Sequence, residues 1–108
     1  MTIMPKYLTM SSYTAEGTKG LLKEGGTARR EAVEKLVESL GGRLEAFYFA
    51  FGENDLYCII EVPDNVSMAA ATLTVMATGG SVKTVVLLTP EEIDQAAKKT
   101  VQFRPPGQ

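Results

Sequence analysis

Apolar and polar residues alternate along four short segments of the chain and recur every three or four positions along four others. The first pattern is typical of β-strands and the second of amphipathic helices. Glycine pairs and prolines separate most of these segments, because both residues interrupt regular structure. The predicted strands cover residues 7–13, 43–51, 55–62 and 82–88, and the predicted helices cover residues 14–22, 27–40, 66–78 and 90–101.

Capping residues mark several of the predicted helix boundaries. Thr14 is suited to cap the first helix, and the Pro63-Asp64-Asn65 segment to end the third strand and cap the next helix. The clearest signal is Thr89-Pro90-Glu91-Glu92, where threonine caps, proline fits the first helical position and Glu92 completes a capping box. The last helix is expected to extend to Val101.

The order of these elements predicts an α+β fold of the ferredoxin-like type. Strand, helical region, two strands, helix and strand follow the βαββαβ arrangement of an antiparallel sheet with helices on one face, with a C-terminal helix appended. A chain of 108 residues suits one domain. We therefore expect a single domain over residues 1–104 and a short tail over residues 105–108.

Both faces of the predicted sheet carry apolar side chains, whereas a sheet with one face in water alternates apolar and polar residues. In the second strand, one face carries Phe47, Phe49 and Phe51 and the other carries Leu44, Ala46, Tyr48 and Ala50. In the third strand, one face carries Tyr57 and Ile59 and the other carries Leu56, Cys58 and Ile60. In the fourth strand, one face carries Val85 and Leu87 and the other carries Val82, Val86 and Leu88. Helices of one chain cover only one face, and the other would leave a large exposed apolar patch. This predicts a homodimer or a higher symmetric oligomer through the sheet face.

Composition and charge exclude several classes of function. The formal net charge is -2, whereas proteins that bind nucleic acid usually carry a basic excess. The chain has no histidine and a single cysteine, Cys58, so one chain cannot form a Ser-His-Asp triad, a His-ligated metal site or an internal disulfide. We expect no metal, no cofactor and no nucleic-acid partner.

Targeting signals are also missing from the pattern of the sequence. The residues from Met1 to Lys6 lack the basic start and apolar stretch of a secretory signal. The longest apolar-rich segment, residues 68–77, is shorter than the roughly 20 residues that span a bilayer. The expectation is a cytoplasmic protein without a membrane partner.

With its elements in place, the chain resembles the GYD-domain family of small bacterial proteins. The similarity covers almost the whole chain in order. It is carried by Pro5-Lys6-Tyr7-Leu8, Ser12-Tyr13-Thr14-x-x-Gly17, Arg30-x-x-Val33-x-x-Leu36-x-x-x-Leu40-Gly41-Gly42, Phe47-Tyr48-x-x-Phe51-Gly52 with Asp55, and Val82-Lys83-Thr84 leading to Leu88-Thr89-Pro90-Glu91-Glu92. The resemblance implies a relation to the dimeric α/β-barrel proteins, in which two ferredoxin-like sheets face each other. The Gly-Tyr-Asp signature reads Gly52-Glu53-Asn54-Asp55 here, with asparagine in the place of the aromatic residue.

The predicted topology gathers four chemically useful residues at one sheet edge. Tyr13, Asn54, Asp55 and Lys83 are expected to converge beside the start of the first helix, where they could bind a small polar or anionic ligand. A partly desolvated Asp55 could also act as a general base. The alternative is structural: Asp55 closes a hairpin turn and Lys83 is its surface ion partner. The sequence identifies no catalytic residue.

Three other features have simpler interpretations. Cys58 lies in an apolar strand and is predicted to be a core residue rather than a nucleophile. The polar-aromatic face of the first strand is expected either to line a cavity between paired sheets or to form a hydrogen-bonded dimer interface; it consists of Tyr7, Thr9, Ser11 and Tyr13. Gly20-x-x-x-x-Gly25 lacks the following Lys-Ser/Thr of a phosphate-binding loop.

Two functions therefore stay open. The first is a small dimeric module that binds a small ligand or a protein partner. The second is a cofactor-free enzyme similar to isomerases or monooxygenases of the dimeric α/β-barrel type, acting on a small organic substrate. An enclosed pocket that holds Asp55 or a tyrosine with a perturbed pKa would favour the enzyme, and a filled space would favour a packing module.

Overall fold

The computed structural model describes residues 4–108 as four strands and four helices in the predicted order, which confirms the α+β class. The elements are β1 (Lys6–Ser12), α1 (Ala15–Glu24), α2 (Gly26–Ser39), β2 (Arg43–Phe49), β3 (Leu56–Glu61), α3 (Asn65–Met76), β4 (Ser81–Leu87) and α4 (Pro90–Ala97). Residues 1–3, which begin the segment predicted to lack a secretory signal, lie outside the described residues. Within residues 4–108, no helix has the length and apolar character needed to cross a membrane.

The four strands form one sheet in the order β2-β3-β1-β4, and every neighbouring pair is antiparallel. The central strand β1 pairs Tyr7 with Ile60 and Thr9 with Cys58. These four side chains are buried on the face that α1, α2 and α3 cover. The opposite side of the sheet is called the open face, and its apolar residues are Leu8, Met10, Ala46, Tyr48, Tyr57, Ile59, Val85 and Leu87.

A bulge in β2 changes the predicted division of side chains between the two faces. The register with β3 shifts between Leu44 and Ala46, because an extra residue is inserted there. Leu44 and Phe47 therefore both pack against the core, and the prediction that they lie on opposite faces is wrong. Phe51 lies beyond the end of β2 and is fully exposed, so its predicted place on a sheet face is also wrong.

Capping explains where three of the helices begin. The side chain of Thr14 accepts a hydrogen bond from the Gly17 amide at 3.0 Å, and that of Asp64 accepts one from the Ser67 amide at 2.8 Å. At α4 both reciprocal bonds of the Thr89 capping box form, as the sequence predicts. However, α4 ends at Ala97, four residues before the predicted end at Val101.

The helical region between β1 and β2 is split at Gly25, as its glycine pair predicts. Gly25 has a φ of 86°, a conformation that residues with a side chain rarely adopt, and it ends α1 and begins α2. The chain therefore changes direction between the two helices, so that one face of each helix lies over the sheet. Val37 of α2 is fully buried in the core with Tyr7, Val62, Met68 and Ala71.

The C-terminal part of the chain contributes nothing to this core. No residue of α4 is buried, and the described residues from 97 onward are all exposed. The radius of gyration is 17.1 Å, whereas a compact chain of this length has a value of about 13 Å. The longest dimension of the described residues is 58 Å. The C-terminal region thus leaves apolar side chains in solvent, among them Ile93, Val101 and Phe103.

Candidate functional site

A cavity of about 430 Å³ lies between the helices and the sheet. Helices α1, α2 and α3 form its roof, and β1, β3 and the start of β4 form its floor. Interiors of proteins are usually packed with few voids larger than a water molecule. The space is a cleft that the three helices leave unfilled, and it is partly open to solvent because its lining residues Glu16, Gly20 and Glu24 on α1 are exposed.

Two glycines on the inner side of α1 help to explain the open space. Gly17 and Gly20 are three residues apart and both line the cavity, so the helix presents no side chain at either position. A Cβ atom placed on Gly20 would meet no atom within 4 Å. Glycine weakens a helix interior by about 1 kcal/mol relative to alanine, so this space is kept at a cost to stability.

Most of the remaining wall is apolar, and the charged side chains come from α1 and α2. The apolar lining includes Val33, Leu36, Val37, Leu56, Ile60, Met68, Val75 and Val82. The charged lining residues are Glu16, Glu24 and Arg29, and Nη1 of Arg29 lies 3.7 Å from Oε1 of Glu24. An apolar wall with a few polar groups is the usual character of a small-molecule site.

Tyr13 is the lining residue with the most unusual environment. Its backbone amide donates a hydrogen bond of 2.8 Å to Oδ2 of Asp55, which fixes the chain at the end of β1. Its hydroxyl is buried and has no hydrogen-bond partner within residues 4–108. Desolvation raises the pKa of this phenol, and the nearby positive charge of Arg29 opposes part of that rise. The phenol therefore keeps its proton at neutral pH.

Cys58 lies on the floor of the same cavity. Its side chain is buried, which confirms the prediction of a core residue. Burial raises the pKa of the thiol to about 11, although a hydrogen bond with Thr9 lowers it in part. Because the thiolate is the reactive form, this cysteine is a poor nucleophile at neutral pH.

The four residues that the sequence singles out lie at one edge of the sheet, but only Tyr13 lines the cavity. Asp55 is bonded to the Tyr13 backbone, and Asn54 is buried with its Nδ2 atom 3.5 Å from the Tyr57 hydroxyl. Lys83 pairs with Glu53 at 3.4 Å, so the expected ion pair of Lys83 with Asp55 is wrong. A ligand-binding role for Asn54, Asp55 and Lys83 stays a prediction.

Neither interpretation of the polar-aromatic face of β1 holds. Thr9, Ser11 and Tyr13 line the cavity under the helices, and Tyr7 is buried with its hydroxyl bonded to Asn65 of α3. This face therefore meets the helices of its own chain rather than a second sheet. In residues 4–108, no cluster of three or more carboxylate or thiol side chains could hold a metal ion.

Sequence reasoning did not identify Gly20, Arg29 or Val33 as cavity residues. The available signal was the spacing of Gly17 and Gly20 on the side of α1 that also carries Leu21. Where glycine replaces an apolar residue on the inner face of a helix, no side chain fills the space between that helix and the sheet. Whether that space stays open depends on α2 and α3, which a local pattern does not describe.

Comparisons with known proteins identify one family. The model of the GYD domain matches residues 7–97, which includes every strand and helix except the first residue of β1. The comparison with curated proteins and the comparison with solved structures each gave no match.

Proposed function

The chain belongs to the GYD-domain family, and for this member we propose that the helix–sheet cavity binds a small, mostly apolar molecule. The observation that carries the proposal is the cavity itself, whose volume of about 430 Å³ lies within the range of roughly 300–1,000 Å³ typical of small-molecule sites. Its apolar walls favour a hydrocarbon body, since burial of apolar surface drives binding.

The protonation states around the floor favour binding rather than catalysis. Tyr13 and Cys58 both have raised pKa values, so neither is the deprotonated form that would abstract a proton or attack a substrate at neutral pH. Asp55, the general base considered from the sequence, does not line the cavity. The unfilled cavity with a tyrosine of raised pKa meets the condition that the sequence set for an enzyme. This rise leaves the phenol protonated and supplies no base, so we propose the binding module and keep the cofactor-free enzyme as the alternative.

The binding function can be tested by titrating the methyl-labelled protein with 2-ethylnaphthalene and recording methyl NMR spectra. We expect the resonances of Val33, Val75 and Met68 to shift, because these residues line the cavity. Gly20→Leu should weaken binding of the probe at least roughly tenfold. The leucine side chain would occupy part of the open space, and the probe would lose apolar contacts equivalent to a few methylene groups.

Gly52→Leu is the matched control for this variant. A Cβ atom on Gly52 also meets no atom within 4 Å, and its φ is not positive, but this glycine does not line the cavity. Gly52→Leu should therefore bind the probe as the unchanged protein does. Shifts confined to open-face residues such as Leu8 and Ile59, or equal binding by both leucine variants, would contradict the proposal.

We further propose that two copies pair through the open face and form a dimeric α/β barrel. An antiparallel sheet in the order β2-β3-β1-β4, joined by βαββαβ connections, supports a ferredoxin-like assignment and with it this assembly. The open face carries Tyr48 and Val85 at 71% and 43% exposure, respectively. At one end of it Lys6 and Arg43 pair with Glu45 and Glu61, so these charges are already compensated within one chain.

A further inference from the structure

We propose that the C-terminal arm, defined as residues 90–104, packs against a second copy of the chain. The arm consists of α4 and the extended segment that follows it. This inference goes beyond the cavity, and it rests on the pairing of open faces proposed above only for where the second copy lies.

The surface area of one chain is larger than that of a monomer that folds alone. The chain exposes 7878 Å², whereas a folded monomer of 11.7 kDa exposes about 5,900 Å². The excess of about 2,000 Å² lies within the range of roughly 1,000–2,500 Å² that each partner buries in a permanent homodimer. A second copy therefore accounts for an area of this size.

The arm exposes apolar side chains that its own chain does not cover. Ile93 lies on α4, and Val101 and Phe103 lie on the extended segment, where each is 76% exposed. An isolated helix as short as the eight residues of α4 is marginal in water, because packing supplies most of the stability of a helix in a protein. No residue of α4 is buried, so its own chain does not supply that packing.

The end of the arm and the rest of the chain carry opposite charge. Residues 98–104 contain three basic residues and no acidic residue. Residues 1–97 contain the other eight basic residues and all 13 acidic residues, which gives a formal net charge of -5. The body of a second copy is therefore complementary in charge to the end of the arm, and such complementarity selects among partners.

The arm leaves the body of the chain beside the open face. It follows β4, an edge strand of the sheet that carries Val85 and Leu87 on that face. The described residues measure 58 Å along their longest axis, whereas a strand of seven residues such as β4 spans about 23 Å. The arm thus projects beyond its own body, and pairing through the open faces brings the second copy alongside β4, within reach of the arm.

Sedimentation equilibrium tests the contact through the dissociation constant of the dimer. The arm variant combines Val101→Ser with Phe103→Ser, and the control variant combines Leu22→Ser with Val66→Ser, which removes similarly exposed apolar side chains from α1 and α3. None of the four residues belongs to the core, so both variants should fold. The arm variant should raise the dissociation constant at least roughly a hundredfold, because four apolar side chains are lost per dimer and each supports about a tenfold change in affinity. The control variant should leave it unchanged.

Isotope-filtered NMR identifies the chain that the arm contacts. A mixed sample contains one copy with labelled methyl groups and one unlabelled copy, so a nuclear Overhauser effect from the Phe103 ring of the unlabelled copy to a labelled methyl group crosses between copies. We expect such effects to methyl groups within residues 4–89. Effects from Phe103 within its own chain only, or none at all, would overturn the inference.

The outcomes for the arm and for the open face are separable. A dimer that is equally stable in the unchanged protein and in the arm variant would overturn the inference and leave the pairing of open faces intact. Equal weakening by the arm and control variants would also overturn it. A monomeric unchanged protein would overturn both, whereas the binding function of the cavity is measured separately by the 2-ethylnaphthalene titration.

Discussion

The carboxylate of Asp55 accepts a hydrogen bond of 2.8 Å from the backbone amide of Tyr13, a residue 42 positions earlier in the chain. The bond joins the loop between β2 and β3 to the end of β1, immediately before the cap of α1. A second bond, from the Asp55 amide to the Ser11 carbonyl at 2.8 Å, reinforces the same junction. This contact places the Tyr13 ring at the cavity wall.

We expect Asp55→Ala to lower the free energy of unfolding by about 1–3 kcal/mol, because the Tyr13 amide loses its partner in a partly buried position. Asp55→Asn retains an oxygen acceptor, so its free energy of unfolding should fall less than that of Asp55→Ala. Urea denaturation followed by circular dichroism measures both effects. Glu53→Ala, which removes only the exposed pair with Lys83, is the control and should change stability by less than about 1 kcal/mol. An Asp55→Ala cost no larger than the Glu53→Ala cost would contradict this role.

Gly20→Ala is expected to stabilise the protein by about 0.5–1 kcal/mol. Alanine is the better helix former, and its Cβ meets no atom within 4 Å at this position. Gly17→Ala should be less stable than Gly20→Ala, because the added Cβ would lie 3.2 Å from the Tyr13 ring. Thermal unfolding of the two variants side by side measures the difference. Destabilisation by Gly20→Ala would mean that the inner side of α1 is packed rather than open.

The Cys58 thiol should make stability depend on pH in the alkaline range. Burial raises its pKa from 9.0 to about 11 in the folded protein. A raised folded-state pKa gives a contribution that is complete below pH 9 and is lost as the pH rises towards 11. Between pH 9 and pH 11 the free energy of unfolding should fall by about 1–2 kcal/mol more in the unchanged protein than in Cys58→Ala, as measured by urea denaturation. Equal pH dependence of the two proteins would contradict the burial of the thiol.

The proposed dimer predicts a mass near twice the 11.7 kDa of one chain in light scattering at micromolar concentration. Val85→Glu places a charge on the open face and should shift the protein to the monomer, since burying an unpaired charge is costly. Leu22→Glu alters an 83% exposed residue of α1 and should leave the mass unchanged. A monomeric unchanged protein would contradict the pairing.

The order of the elements could be predicted because its signals are local. The Thr89 capping box and the glycine at position 25 act within a few residues, and both appear in the structure where the sequence indicates them. The bulge between Leu44 and Ala46 was missed because its formation depends on pairing with β3. The predicted extension of α4 to Val101 followed an apolar spacing that no packing partner in the described chain supports.

The candidate site could be predicted only in part. The topology correctly brought Tyr13 next to Asp55, because antiparallel strands gather those ends at one edge. The topology could not indicate that Lys83 pairs with Glu53, since a long side chain at such an edge can reach several partners. The cavity was beyond a local pattern altogether, because an empty space results from how three helices and a sheet fail to meet.

The most direct test of the binding function is a crystal structure of the unchanged protein with 2-bromonaphthalene, in which anomalous scattering from bromine locates the probe. The predicted result is one strong bromine peak between the helices and the sheet, within contact distance of Val33, Met68 and Val75. The same experiment on Gly20→Leu should give a weaker peak or none. A bromine peak on the open face, near Ile59 and Val85, with an empty helix–sheet cavity would contradict the binding function proposed here.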